Sequence, residues 1–84
     1  SLRNSLYILR DVIDQFYADH GQYPDTLDDL VQKKYIRDIP EDPFVKSRDA
    51  WILIPPDSEG LTGIYDIRSS SKKISLHGTP YNEW

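Results

Sequence analysis

Residues 1–21, SLRNSLYILRDVIDQFYADHG, decide the fold. Apolar side chains recur in this stretch at steps of three or four residues, which places them on one face of an α-helix. They are Leu2, Leu6, Leu9, Ile13 and Phe16. Gly21 is a helix stop, and Pro24 prevents the helix from continuing. The apolar face already begins at Leu2, and no N-cap followed by an acidic first turn marks the start of a helix there. We therefore expect a helix over residues 1–20 that is truncated at its start.

A second, short helix is predicted directly after this stop. Thr26 and Asp29 have the spacing of a capping box, with Asp in the place of the usual Glu. Leu27 and Leu30 supply a short apolar face. We therefore expect a short helix over residues 25–35.

Beyond the second helix the sequence pattern changes from helical to extended. Pro40 and Pro43 exclude both a helix and an interior strand from the segment that contains them. The apolar run at residues 50–54 predicts a first strand, and the alternating residues 63–68 predict a second. After a run of three serines, residues 72–76 predict a third strand.

These elements predict an α+β fold. The 84 residues suffice for one domain, residues 1–84, in which the two helices pack on a three-stranded antiparallel sheet. The strands form a meander within residues 50–76. The tail, residues 77–84, is rich in turn formers but ends on Trp84, whose large ring we expect to pack against the domain.

Composition excludes several classes of function. The formal net charge is −4, and Lys occurs in pairs rather than in a basic stripe, so we expect no nucleic-acid partner. The absence of Cys excludes disulfides, thiolate nucleophiles and Cys-ligated metals. No stretch approaches the ~20 apolar residues of a membrane span.

Serine and histidine are the residues that most resemble catalytic groups. The three serines at residues 69–71 lie near His77, but no glycine-flanked nucleophile elbow surrounds them, so we expect a surface turn. His20 is explained by its place at a helix C-terminus, where a positive charge is favourable. The two histidines have no third ligand at a suitable spacing, so no metal site is predicted.

The acidic residues are likewise explained without a site. Asp25, Asp28 and Asp29 fall at the start of the second helix, where its dipole favours negative charge. Glu41 and Asp42 lie beside prolines and are expected on a loop surface. We therefore predict a protein that is not an enzyme and that has no cofactor.

Four segments in order carry a family resemblance. Residues 13–24, IDQFYADHGQYP, resemble a helix end followed by D-x-G-x-Y-P, and residues 26–30, TLDDL, resemble the short helix that follows it. Residues 35–44, YIRDIPEDPF, resemble Y-L-x-x-x-P-x-D-P-W/F, and residues 63–69, GIYDIRS, are similar to G-x-Y-D-x-x-S. Together they resemble the globular part of the type IV pilin superfamily, closest to the major pseudopilin of type II secretion.

The resemblance implies a structural subunit of a periplasmic pseudopilus that helps move proteins across the outer membrane. Its long helix would be a spine that begins with an apolar, N-methylated segment. The resemblance implies that this segment has been removed here and that it would be the protein's only contact with the membrane. The implied location is the periplasmic face of the inner membrane of a Gram-negative bacterium. The implied partners are copies of itself, minor pseudopilins, the inner-membrane assembly platform and the prepilin peptidase.

Two alternatives stay open beside this interpretation. The chain could be a subunit of a type IV pilus, because such machines share the architecture. It could also be a soluble periplasmic module that binds a peptide or ligand at the sheet edge or at residues 55–61.

The family's calcium site is not expected here. Major pseudopilins often hold calcium in an acidic loop after the second strand, but residues 69–78 contain no carboxylate and include Lys72 and Lys73. Calcium needs six to eight oxygen ligands, several of them charged. The lysines would oppose its binding.

The spine helix would supply the residues of assembly. Its apolar residues are expected to divide their packing between the sheet and neighbouring subunits; these are Leu2, Leu6, Leu9 and Ile13. Its charged residues would set the register between subunits, because complementary charges select partners. These are Arg3, Arg10, Asp11 and Asp14.

Overall fold

The long helix α1 spans Leu2–His20 in the computed structural model, which describes residues 1–84. Its end agrees with the prediction: Gly21 adopts the left-handed conformation with φ 70° and donates its N–H to the carbonyl of Tyr17. At its start, the hydroxyl of Ser1 accepts a hydrogen bond from the N–H of Asn4 at 3.2 Å. Ser1 thus caps the first turn of α1, and the expected truncation of the helix at this end stays a prediction.

The second helix, α2, spans Leu27–Gln32 and begins with the predicted capping box. The hydroxyl of Thr26 accepts from the N–H of Asp29, and the Asp29 carboxylate accepts from the N–H of Thr26. The helix is shorter than the predicted residues 25–35. It ends before Lys34, whose φ of 66° cannot continue a right-handed helix.

The sheet has two antiparallel strands, β1 at Ile52–Ile54 and β2 at Asp66–Arg68. The prediction of three strands is therefore wrong. Within residues 72–76 only Ile74 pairs with another segment, in an isolated bridge to Pro80.

Serine side chains form local hydrogen bonds within and directly after residues 72–76. The hydroxyl of Ser71 accepts from the N–H of Lys73, and that of Ser75 accepts from the N–H groups of His77 and Thr79. Such local side-chain bonds offer the backbone an alternative to a strand ladder. The segment is consequently turn-like, although its composition resembles a strand.

The core lies between one face of α1 and the rest of the chain. The helix contributes six of its eleven buried residues, namely Leu2, Leu6, Leu9, Val12, Ile13 and Phe16. The others are Leu27, Leu30, Trp51, Ile64 and Ile67. The Trp51 indole is tied down because its Nε1–H donates to the carbonyl of Pro40 at 2.9 Å.

A short 3₁₀ helix, Tyr81–Glu83, ends the chain and packs on β2. Tyr81 and Trp84 lie partly buried against the core, so the prediction that Trp84 packs on the domain is confirmed. Neither α-helix combines the length and the apolar content that crossing a membrane requires.

Candidate interaction surface

The apolar residues predicted for assembly all lie inside the domain. The exposed fraction is at most 2% for Leu2, Leu6, Leu9 and Ile13. These side chains already contact the domain's own core. Contacts between copies would therefore have to use other side chains of α1.

The charged residues predicted to set register lie together on a groove between α1 and the C-terminal tail. This tail groove has a volume of about 550 Å³. Its lining consists of Arg3, Leu6, Tyr7, Arg10, Asp11, Asp14, Thr79 and Trp84. The sequence pattern identified its helical side, whereas the tail's contribution depends on tertiary packing.

The guanidinium of Arg10 donates three hydrogen bonds within the molecule. Its Nε–H donates to Oδ1 of Asp66 at 2.8 Å. Its Nη2 donates to the carbonyl of Ile67 at 3.1 Å and to that of Trp84 at 2.9 Å. Arg10 therefore holds α1, β2 and the tail together as a structural clamp.

Arg3 also has a partner inside the molecule. Its guanidinium lies 4.8 Å from the ring centroid of Trp84, within the range of a cation–π contact. The Trp84 ring meets Tyr81 edge-on at 4.8 Å, and Tyr81 stacks on Phe44 at 4.1 Å. These contacts hold one wall of the tail groove in place.

The two carboxylates of the tail groove have no cationic partner in the domain. Asp11 accepts a hydrogen bond from the side-chain amide of Gln15, and Asp14 accepts none. The ion pairs of the domain join other residues, Arg10 to Asp66 and Arg48 to Asp38. The negative charges of Asp11 and Asp14 are thus not neutralised by an ion pair within the domain.

A cluster of tyrosines continues this surface beyond Asp14. Tyr17 stacks on Tyr23 with ring centroids 4.4 Å apart, and Tyr23 meets Tyr65 edge-on at 5.5 Å. Desolvation by its surroundings raises the pKa of Tyr23 above its usual value, and the neighbouring Tyr17, Tyr65 and Asp14 add to this. Neutral Tyr23 is therefore favoured at this site.

Two of the segments that carry the family resemblance contact each other through their backbones. The N–H of Ile64 donates to the carbonyl of Pro24 at 2.8 Å. A Cβ at Gly63, where φ is 97°, would lie 2.8 Å from that carbonyl oxygen and 2.9 Å from the one of Tyr23. The approach thus requires glycine at residue 63.

Asp42 is buried, and its expected place on a loop surface is wrong. Its exposed fraction is 0%, and its carboxylate accepts from the N–H groups of Phe44 and Val45 and from the hydroxyl of Ser69. The surface turn expected at residues 69–71 is wrong for the same reason, because Ser69 and Ser71 are buried. The Asp-Pro-Phe sequence, typical of a turn built on an Asp side chain, was the available signal.

The C-terminal end of α1 holds a smaller polar cluster. The His20 ring packs on Phe16 with centroids 4.3 Å apart and lies 3.3 Å from the hydroxyl of Tyr35 through Nε2. That hydroxyl donates to the carboxylate of Asp19, which raises the pKa of Tyr35. His77 lies exposed in the tail segment.

The acidic residues around α2 act within the helix as expected. Asp29 completes the capping box, and Asp28 accepts from the side-chain amide of Gln32 at 2.8 Å. The domain has no group of three or more His, Cys, Asp or Glu side chains placed to hold a metal ion. That the calcium site is missing stays a prediction.

Comparison with known proteins assigns no family to this chain. No family model, curated protein or solved structure matches it. The pseudopilin resemblance accordingly depends on the four sequence segments and on how their residues are used in the fold.

Proposed function

We propose that this chain is the periplasmic part of a subunit of a type II secretion pseudopilus, with a structural rather than a catalytic role. The observation that carries the proposal is the contact among three of the resembling segments. Residues 63–69 bond to residues 13–24 through the N–H of Ile64, and to residues 35–44 through the hydroxyl of Ser69. Residues of three of the four motifs are therefore hydrogen-bonded to each other in the fold.

These contacts give the motif spacings a physical reason. Gly63 is needed where the chain passes the carbonyls of Tyr23 and Pro24. Asp42 is needed as a buried acceptor for Ser69. Gly63 meets the carbonyl of Pro24, and Ser69 meets the carboxylate of Asp42, and these two contacts between motif residues support the proposal.

The proposed mechanism is mechanical. An apolar segment upstream of Leu2 would hold the subunit in the inner membrane until the prepilin peptidase and the assembly platform act on it. Subunits would then stack with α1 as the spine of a short helical fibre, joined by minor pseudopilins. The growing fibre would push or gate exported proteins across the outer membrane.

The first test is the N-terminal sequence and intact mass of the native protein taken from bacterial membranes. The proposal expects an N-methylated residue followed by about 20 apolar residues that lead into Leu2. A native chain that begins near Ser1, or after an ordinary cleaved signal peptide, would contradict it.

A second test measures export of a secreted protein from bacteria that carry a charge reversal. Asp14→Lys is the informative variant, because Asp14 has no partner within the domain, and we expect export to fall while the fold is kept. Arg10 is unsuitable because its reversal would break the clamp to Asp66. Asp57→Lys, in an exposed loop, is the matched control and should export normally.

The tail groove favours a second candidate function, a periplasmic module that binds a peptide or ligand. That protein would have no apolar segment before Leu2, so the N-terminal sequence separates the two functions. A type IV pilus subunit would share the N-terminus. It would be distinguished by loss of surface pili, with normal export, when the gene is deleted.

A further inference from the structure

The arginines of the tail groove have partners within the molecule, whereas its aspartates have no cationic partner. Arg10 is bonded to Asp66, and Arg3 lies over the ring of Trp84. Asp11 and Asp14 have no cation within ion-pair distance. The groove therefore attracts a cationic side chain, although it contains as many arginines as aspartates.

The rest of the groove is aromatic and apolar. The Tyr7 side chain is 70% exposed, more than Ile8 at 37% and Tyr17 at 38% on the same helix. The partly buried Trp84 ring adds apolar surface. An occupant of matching chemistry would carry a positive charge beside an aliphatic side chain.

The chain itself contains such a segment. Residues 72–76, KKISL, present Lys72 and Lys73 without any carboxylate partner. Ile74 is 64% exposed and Leu76 is fully exposed, the largest exposure of any apolar side chain in the domain. Contiguous exposed apolar patches rimmed by polar residues mark interaction sites, and Ile74 and Leu76 supply two exposed apolar side chains beside the lysines.

Hydrogen bonds hold this basic segment in a fixed shape. The N–H of Tyr81 donates to the carbonyl of Lys73 at 3.0 Å, and the N–H of Ser75 donates to the carbonyl of Thr79 at 3.0 Å. Ser75 itself is buried, which turns the residues on either side of it outward. A segment ordered in advance loses less entropy when it binds.

We propose that the tail groove binds residues 72–76 of a second copy of this chain, with the lysines beside Asp11 and Asp14 and the aliphatic side chains against Tyr7. The choice of a second copy, rather than a foreign basic peptide, rests on the proposed function. The two surfaces differ, so the contact is heterologous and can extend copy by copy into an open fibre.

Mixed cross-linking tests this contact directly. The chain has no Cys, so single cysteines can be introduced as Tyr7→Cys and Ile74→Cys, both at exposed positions. We mix the two variants, oxidise them and identify the dimers by mass. The expected result is an excess of the mixed dimer over random pairing. Leu61→Cys, mixed with Ile74→Cys, is the control and should show no excess.

Charge exchange tests the electrostatic part of the contact. Asp14→Lys is expected to weaken self-association, measured by sedimentation of the 84-residue chain, about tenfold because it opposes like charges. Lys72→Glu should do the same. An equal mixture of the two variants should recover affinity, because in a mixed pair each groove meets a segment of opposite charge at these two positions. Asp57→Lys and Arg37→Glu are controls expected to keep wild-type association.

The outcomes separate this inference from the proposed function. Random pairing of the cysteines, or no recovery in the mixed variants, would overturn the inference. If the native protein then still has the apolar N-terminus and forms fibres, the proposed function stands and the subunits meet elsewhere. If the cross-link forms but the apolar N-terminus is absent, the contact stands and the filament function fails.

Discussion

The carboxylate of Asp42 and the hydroxyl of Ser69 lie 27 residues apart in sequence and form a hydrogen bond in the interior of the domain. Asp42 belongs to the proline-containing crossing segment, and Ser69 directly follows β2. The Ser69 oxygen in turn accepts the N–H of Ser71 at 3.0 Å. These two hydrogen bonds fix the end of the sheet against the crossing segment.

Replacement of Asp42 by Ala should destabilise the domain by about 3 kcal/mol, since three donors would lose a buried acceptor. Ser69→Ala should cost about 2 kcal/mol, because the buried carboxylate loses one partner. Both values are expected losses in the free energy of unfolding, to be measured by urea denaturation. Asp49→Ala, at an exposed position, is the control, with a change within about 0.5 kcal/mol. Equal stability of all three variants would contradict a structural role for Asp42.

The clamp at Arg10 leads to a second prediction. Arg10→Ala should lower the free energy of unfolding by about 2 kcal/mol, because hydrogen bonds to Asp66, Ile67 and Trp84 are lost together. Arg10→Lys should recover only part of this, since Lys lacks the guanidinium fork. The measurement is the free energy of unfolding of both variants by urea denaturation.

Arg48 provides the comparison for this clamp. Its ion pair with Asp38 is 3.7 Å long, and the two side chains are 56% and 69% exposed. Arg48→Ala should therefore cost at most about 1 kcal/mol. A loss at Arg10 no larger than the loss at Arg48 would show that Arg10 is not a clamp.

The helical part of the fold was predictable because its signals are local. The spacing of Leu2, Leu6 and Leu9 depends only on the helical repeat. The stop at Gly21 and the capping box at Thr26 each involve a few neighbouring residues. Such patterns are complete within the sequence window in which they are seen.

The sheet and the tail groove were less predictable because they depend on residues distant in sequence. Residues 72–76 have strand-like composition, but the hydroxyl of Ser71 binds the N–H of Lys73, and the hydroxyl of Ser75 binds the N–H groups of His77 and Thr79 in the turn that follows. Asp42 resembles a surface residue until its distant partner is known. Arg10 was identified as a charge on α1, but its bond to Asp66 decides whether that charge is available to another copy.

Gly63 leads to a third prediction. Gly63→Ala should destabilise the domain by about 3 kcal/mol, because the added Cβ meets two backbone oxygens and the residue has positive φ. Gly60→Ala is the matched control, since Gly60 also has positive φ but open space around it. It should cost about 1 kcal/mol from backbone strain alone. Similar losses by urea denaturation would show that the contact with Pro24 is not tight.

Alkaline pH should unfold the domain partly through Tyr35. Its hydroxyl donates to the carboxylate of Asp19, and this hydrogen bond raises the pKa of Tyr35 in the folded state. A raised pKa means that the neutral phenol stabilises the folded state. This contribution is complete below the unfolded value of about pH 10 and is lost as the pH rises through the folded value.

Tyr35→Phe should therefore lower stability at neutral pH and flatten the fall in stability above about pH 10. The measurement is the free energy of unfolding by urea across this range, combined with ultraviolet titration of the phenols. Tyr23, whose pKa is also raised, keeps part of the alkaline slope in the variant. Tyr7→Phe is the control, because its exposed hydroxyl donates to no other group. An unchanged slope in Tyr35→Phe would show that the bond to Asp19 does not persist in solution.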